Sequence, residues 1–321
     1  MGQLTNRQTD VPREVDVYYV RTLLESGQPT LLYDMFAQMG IVIPSKSGTN
    51  TAKFRRYGNL AAAGVLDEGI TPAGSKASVQ SITATPLQYG DYLTTTDIVD
   101  LETPDPVFTE FNKLLGRQAG VTFNGVARDV LQGGTQVTRQ GGHTARSSIT
   151  ATDLPDATTL QNIVDNLKNR YAMKITERIN ATTGVGTQAV DPSFVGLCSV
   201  ATGRHLKGLD GFQRAKDYAS TSTLLHSREI GAFDEIRFIE GDETMVFDGE
   251  GASDIDVHGT LIFGMGAYGT VGLGSNTISS HIKGFGSGDD PLFQRASTGW
   301  KGHKTYVRLN EDNMQRYEHA V

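Results

Sequence analysis

The sequence predicts an α+β chain with two lobes and projecting arms, and three observations predict it. A helical pattern of about 25 residues follows residue 105, a β-prone hairpin flanks a small-residue tip between residues 51 and 98, and short strands alternate with turns beyond residue 190. At 321 residues the chain suits two lobes or one lobe with large excursions, because domains average roughly 100–200 residues. Its 38% hydrophobic content is enough to bury a core. Thirty-seven glycines, against a typical ~7%, point to many turns, bent strands and extended arms.

Residues 1–15 are polar. Val17, Val20, Leu23 and Leu24 then recur at helical spacing up to Gly27 and Pro29, and Leu31 through Met39 repeats the period. Two short helices with no sheet between them predict an arm rather than a core. Thr51 to Tyr57 reads as extended, and Lys76 to Ile98 as one long β-prone run. The tip between them, Gly58 to Ser75, is poor in core-forming residues. Such a hairpin cannot bury itself and needs its own domain or a neighbouring chain.

Thr103, Pro104, Asp105 and Pro106 offer helix-start residues. Phe108, Phe111, Leu115, Ala119, Thr122, Val126 and Val130 form a stripe that Gly133 and Gly134 terminate. Gly116, Gly120 and Gly125 inside it predict close packing or a bend. Gln136 to Thr150 reads as a polar loop between lobes. Asp156 to Tyr171 reads as a helix facing its core with Leu160, Ile163, Val164 and Leu167. Strands are expected at Phe194–Val200, Ile236–Ile239, Thr244–Phe247, Leu261–Phe263 and Thr270–Leu273, with one or two more between Ala296 and Tyr317. The sequence holds no internal repeat.

Charge and motifs exclude more than they select. With 29 Lys+Arg against 36 Asp+Glu the formal charge is −7, which disfavours a broad phosphate-gripping surface. One cysteine, Cys198, supports neither an internal disulfide nor a cysteine metal cluster, and its apolar setting predicts a buried small side chain. The start of the chain has no apolar signal region, Asn6 stands where myristoylation wants Ser or Thr, and no apolar run approaches the ~20 residues needed to span a bilayer. A soluble chain made in the cytosol, without membrane contact, is expected.

Gly264 to Val271 matches the kinase glycine loop G-x-G-x-x-G-x-V, with Lys283 following. The 38 residues after Lys283 supply neither the catalytic nor the metal aspartate of a kinase, so a glycine turn between two strands is expected. The seven histidines show no zinc-site spacing. Asp248, Glu250, Asp254 and Asp256 fail the calcium-loop spacing and read as a solvated acidic turn. No cofactor, metal or catalytic constellation is expected, although an unrecognised enzyme stays open to a nucleotide- or metal-binding screen. Lys53, Arg55 and Arg56 alternate with Phe54 and Tyr57 in an extended segment. They suit phosphate or carboxylate partners, and the acidic balance favours carboxylates on a neighbouring chain.

Several stretches carry a resemblance: Leu66-Asp67-Glu68-Gly69-Ile70-Thr71-Pro72, Gln88-Tyr89-Gly90-Asp91-Tyr92 through Thr96-Asp97, Ile262-Phe263-Gly264 with Ala267-Tyr268-Gly269, and Asp290-Pro291-Leu292 followed by Gln294-Arg295 and Gly299-Trp300-Lys301. From about residue 15 onward the chain resembles the major capsid proteins of tailed double-stranded-DNA bacteriophages, in particular the branch typified by the coliphage N-four. That resemblance implies the Hong Kong ninety-seven capsid fold. It divides the chain into an N-terminal arm (1–47), an extended loop (48–88), a peripheral domain with a spine helix (89–154), an axial domain (155–285) and a return to the peripheral domain (286–321). It further implies hexamers and pentamers of the chain closing an icosahedral head around packaged DNA, which is enclosed without sequence-specific binding. The implied setting is the virion, with assembly in the host cytoplasm.

A scaffolding protein, a portal and a decoration or cement protein are the partners it implies. Candidate intersubunit contacts are Lys53, Arg55, Arg56, Asp67, Glu68 and Lys76. Lys53 and Lys76 also lie in the region where some relatives crosslink. An encapsulin-like cellular compartment shell of the same fold is the alternative.

Overall fold

The computed structural model describes residues 31–37, 39–58, 60–65, 69, 74–102, 107–176, 192–218, 224–274, 277–286 and 291–321. The helix expected around Val17 to Leu24, the caps at 103–106 and the contacts Asp67 and Glu68 lie outside the described residues.

In chain order the elements are α1 (Leu32–Met35), β1 (Met39–Ile43), β2 (Ala52–Tyr57), β3 (Val79–Ala84), β4 (Leu87–Thr96), α2 (Asp97–Glu102), α3 (Val107–Leu131) and β5 (Val137–Arg139). Then come α4 (Ala157–Asn169), β6 (Phe194–Ser199), α5 (Val200–Leu206), β7 (Gln213–Arg214), β8 (Glu229–Phe233), β9 (Ile236–Gly241) and β10 (Met245–Phe247). The last are β11 (Val257–Phe263), β12 (Tyr268–Leu273), β13 (Ile278–Lys283), β14 (Arg295–Arg308) and β15 (Met314–His319).

Two large sheets organise them. One runs β5-β15-β11-β6-β9-β8-β7, with β10 also on β11. The other runs β1-β12-β14-β13, with β4 also on β14. β2 and β3 form a separate ribbon. The run Lys76 to Ile98 is therefore two strands. It divides at Thr85-Pro86, where proline has no N–H to continue a ladder.

The first sheet is covered on both faces, which explains its unbroken apolar strands. Phe194 and Cys198 of β6 meet Leu160, Ile163, Val164 and Leu167 of α4 on one face. Val195 and Leu197 meet α1 and the end of α3 on the other. The expected face of α4 is the buried one, and Asp156 caps it by accepting the Thr159 N–H at 2.9 Å. Cys198 is fully buried, as its neighbours required, and burial pushes its thiol well above the ordinary range.

Four expectations need correction. Residues 31–43 are not an arm: Leu32, Tyr33 and Phe36 are buried in a core, and Met39 opens a strand paired in parallel with β12. The Tyr268 hydroxyl donates to the Tyr33 carbonyl at 2.6 Å and fixes that segment. Next, Gln136 to Thr150 is not a plain loop, because β5 pairs with β15 and Arg139 and Arg146 bind Glu318.

The stripe of α3 also differs. Leu115 and Ala119 are buried as expected, but the stripe continues through Phe123, Ala127 and Leu131 rather than Thr122, Val126 and Val130. Steps of four residues rotate the face by about 40° each at 3.6 residues per turn. The rotation carries the helix from Trp300 on the second sheet to Val195 and Leu261 on the first. Finally, the strands sort across the expected boundaries. β12 and β13 join β14 in the second sheet, and β15 returns to the first.

The second sheet rests on β14, which pairs with β12, β13 and β4 along its length. Phe123 sits edge-on to Trp300 (5.6 Å) and Tyr89 (5.9 Å). A Cβ at Gly302 would come within 2.7 Å of the Phe123 ring, so only glycine lets the helix approach this closely. Trp300 donates its indole N–H to Gln118 at 3.1 Å, and Thr298 donates to Asn112 at 2.9 Å in full burial.

Candidate intersubunit surface

The β2–β3 ribbon stands on the second sheet by one face. Ala52, Ala84, Phe54 and Ile82 join Ile43, Val271 and Val307 in a small core. Alternation then puts Lys53, Arg55 and Tyr57 on the opposite, exposed face. The cross-strand register is Lys53 with Thr83, Arg55 with Ser81 and Tyr57 with Val79.

This divides the basic cluster. Arg56 shares the inward face with Phe54, and its guanidinium donates to Asp312 at 2.5 Å, so its carboxylate partner belongs to the same chain. Lys53, Arg55 and Lys76 are exposed, and no carboxylate pairs with them among the described residues. Beneath the ribbon lies an open groove of about 880 Å³ bounded by Ile82, Thr85, Val130, Thr135, Arg308 and Glu311.

The surface also carries apolar side chains that the sequence reading did not single out. On the ribbon Tyr57, Leu60, Val65 and Val79 are exposed, Val65 at 99%. On α2 Ile98 and Leu101 are exposed, and the neighbouring turn exposes Leu292 and Phe293. The two segments are tied by the Asp97 N–H donating to the Gln294 carbonyl at 3.0 Å. The signal for α2 was available, because Ile98, Val99 and Leu101 stand together in a six-residue helix too short to bury them.

The glycine motif is a crossing, not a phosphate cradle. β11 ends at Phe263 in one sheet and β12 begins at Tyr268 in the other, with Gly266 at φ 72° between them. The Gly264 and Met265 amides already donate to the Asn313 and Met173 carbonyls at 2.8 Å each, which takes the first two amides of the loop away from any phosphate. Among the described residues no group of His, Cys, Asp and Glu could hold a metal ion. In the acidic loop, Glu250 pairs with Arg146, and Asp256 accepts the Gly249 N–H at 2.9 Å. No described helix is long and apolar enough to cross a membrane.

Solved structures decide what this architecture is. The chain matches the capsid of Ralstonia phage GP4 with a TM-score of 0.68 at 10% identity, over 90% of this chain and 88% of that one. It matches the capsid of cyanophage Pam1 at 0.64 and 14% identity, over 89% of each chain. The fold is that of phage capsid proteins. A third capsid, from cyanophage P-SCSP1u, matches at 0.61 and 14% identity over 89% of this chain and 87% of that one. No protein-family model and no curated protein sequence matches the chain. The capsid fold thus spans both sheets and the helix between them, with sequence identity too low to carry any single residue across.

Proposed function

We propose that the chain is a major capsid protein that assembles with copies of itself into the icosahedral head of a bacteriophage, enclosing packaged double-stranded DNA. One observation carries the reading: a capsid fold over nine-tenths of the chain exposes a ribbon with unpaired cations and apolar residues that the subunit does not cover. Burial between subunits would offset the ordering of such a ribbon.

In this reading residues 48–88 are the extended loop, the sheet built on β14 together with α3 is the peripheral part, and the sheet built on β15, β11 and β6 together with α4 is the axial part. Lys53, Arg55, Lys76, Asp67 and Glu68 meet neighbouring subunits. Hexamers and pentamers, a separate scaffolding protein, a portal and a decoration protein complete the assembly. The role is structural rather than enzymatic, and an acidic container lets DNA enter without sticking.

Negative-stain microscopy of the purified chain, with and without co-expressed scaffold, tests the reading. Closed shells of uniform diameter are expected. A chain that stays monomeric under both conditions refutes it. The phage capsids among the matching structures favour a viral head over a cellular compartment, for which enzyme cargo inside the shell would be the sign.

A further inference from the structure

Strand β15 carries an imidazole with no solvent and no counterion. His319 is fully buried, and its ring stacks on that of His258 in β11 at 6.4 Å and 14°. His319 Nδ1 donates to the Ala320 carbonyl at 2.8 Å, so Nε2 is the acceptor for the Thr260 hydroxyl at 3.1 Å. His258 Nδ1 meets Ser199 Oγ at 2.9 Å, and that oxygen also caps α5 by accepting the Thr202 N–H. Both rings are thus held by neutral partners.

The surrounding charges pull in opposite directions at the two rings. His258 and His205 oppose a proton at His319, whereas Asp256 and Asp248 favour one at His258, where burial outweighs them. Tyr317 lies 4.8 Å from the His319 ring, and its hydroxyl donates away to Gln140. Glu318 is engaged by Arg139, Arg146 and Arg316. On the loop beside residue 320, the Asp153 carboxylate is held by Thr150 and His143.

We propose that the His258–His319 stack is a proton-operated latch, which holds β15 against β11 while the buried His319 ring is neutral and releases the strand when that ring takes a proton. Because β15 also carries the ties to β5 and to the end of α3, its release loosens the junction between the two sheets. A positive charge on the fully buried His319 ring, held by neutral partners, has no compensation.

Burial, the largest cause, drives His319 down to about 4 from the usual 6.5, against the raising effect of the Ala320 carbonyl. A base whose folded value is depressed loses stability as pH falls below its unfolded value, here between about 6.5 and 4. Linkage for that shift changes the opening equilibrium about twenty-fold between pH 7 and pH 5.

The test uses the unassembled full-length subunit, so its outcome is independent of shell formation. Amide exchange mapped at pH 7 and pH 5 is expected to show protection falling first in Met314–His319 and Val257–Phe263. His319→Asn, which keeps a donor for the Ala320 carbonyl, is expected to shrink the pH effect to about three-fold or less. Should that variant not fold, NMR titration of the histidine ring carbons in the unaltered chain decides. A His319 ring that titrates near 6.5, or protection lost evenly across both sheets, overturns the latch.

Discussion

Replacing Glu318 with glutamine should cost the subunit about 3 kcal/mol. The carboxylate has no solvent exposure and lies 2.8 Å from Arg139, 2.7 Å from Arg146 and 2.9 Å from Arg316. Burial pushes its pKa up, but the Arg146 hydrogen bond and the charges of Arg316, Arg146 and Arg139 outweigh burial and hold it below the ordinary carboxylate range. Removing one partner of a buried ion pair costs about 3–5 kcal/mol. The lower end applies, because all three guanidiniums keep other acceptors, Arg316 through the Gln132 and Gly134 carbonyls. Arg139 still reaches the Thr144 carbonyl at 2.7 Å, and Arg146 still has Glu250.

Melting followed by circular dichroism at pH 7 is the assay. At about 2–4 °C per kcal/mol for chains of roughly 150–250 residues, about 3 kcal/mol corresponds to roughly 6–12 °C. The greater length of this chain puts the expected fall near the low end, about 6 °C. Glu250→Gln is the control, since that carboxylate is 55% exposed and such pairs contribute about 1 kcal/mol or less. If the two variants melt within about 2 °C of each other, the cage does not hold β15. Because the folded Glu318 value is depressed, its stabilisation is present above the unfolded value of 4.5 and is lost only below it, in a more acidic window than the one set by His319.

Replacing residues 59–74 by an Asn-Gly turn should leave a soluble, cooperatively melting subunit that forms no closed shells in the microscope. Shells of normal size would mean that the ribbon tip is not an assembly contact, and unfolding would mean that it belongs to the subunit's own core. Leu115→Pro, inside α3 and buried against the second sheet, should cost about 3 kcal/mol or more and yield insoluble protein; a soluble subunit with native helicity contradicts this. ATP should not bind by calorimetry, and Lys283→Ala should assemble like the unaltered chain, because the Gly264 and Met265 amides are already occupied. Saturable binding lost in that variant would reverse the assignment.

The parts legible in the sequence were those whose burial is one-sided and local. Leu160, Ile163, Val164 and Leu167 meet one core, so their period named the buried face. In α3 the same method succeeded at Leu115 and Ala119, then missed Phe123, Ala127 and Leu131, because the helix passes from one sheet to the other and its buried face turns with it. Val137–Arg139 has no apolar signature; it is a strand because Arg316 to Glu318, far along the chain, offer it a parallel edge. At the candidate surface the basic residues were visible but not their division. Arg56 turns inward because its neighbour Phe54 packs with Ile82 across the ribbon, a pairing that alternation alone does not orient.

The position of β14 and β15 sets an order on the making of the molecule. Residues 87–96 have no ladder partner until residues 295–304 exist, and β11 lacks one flank until residues 314–319 do. Contacts closed over some two hundred residues form slowly, and unpaired strand edges are open to wrong partners meanwhile. A nascent chain therefore carries both sheets unfinished until residues 295–319 have been made, long after the β2–β3 ribbon can pair with itself.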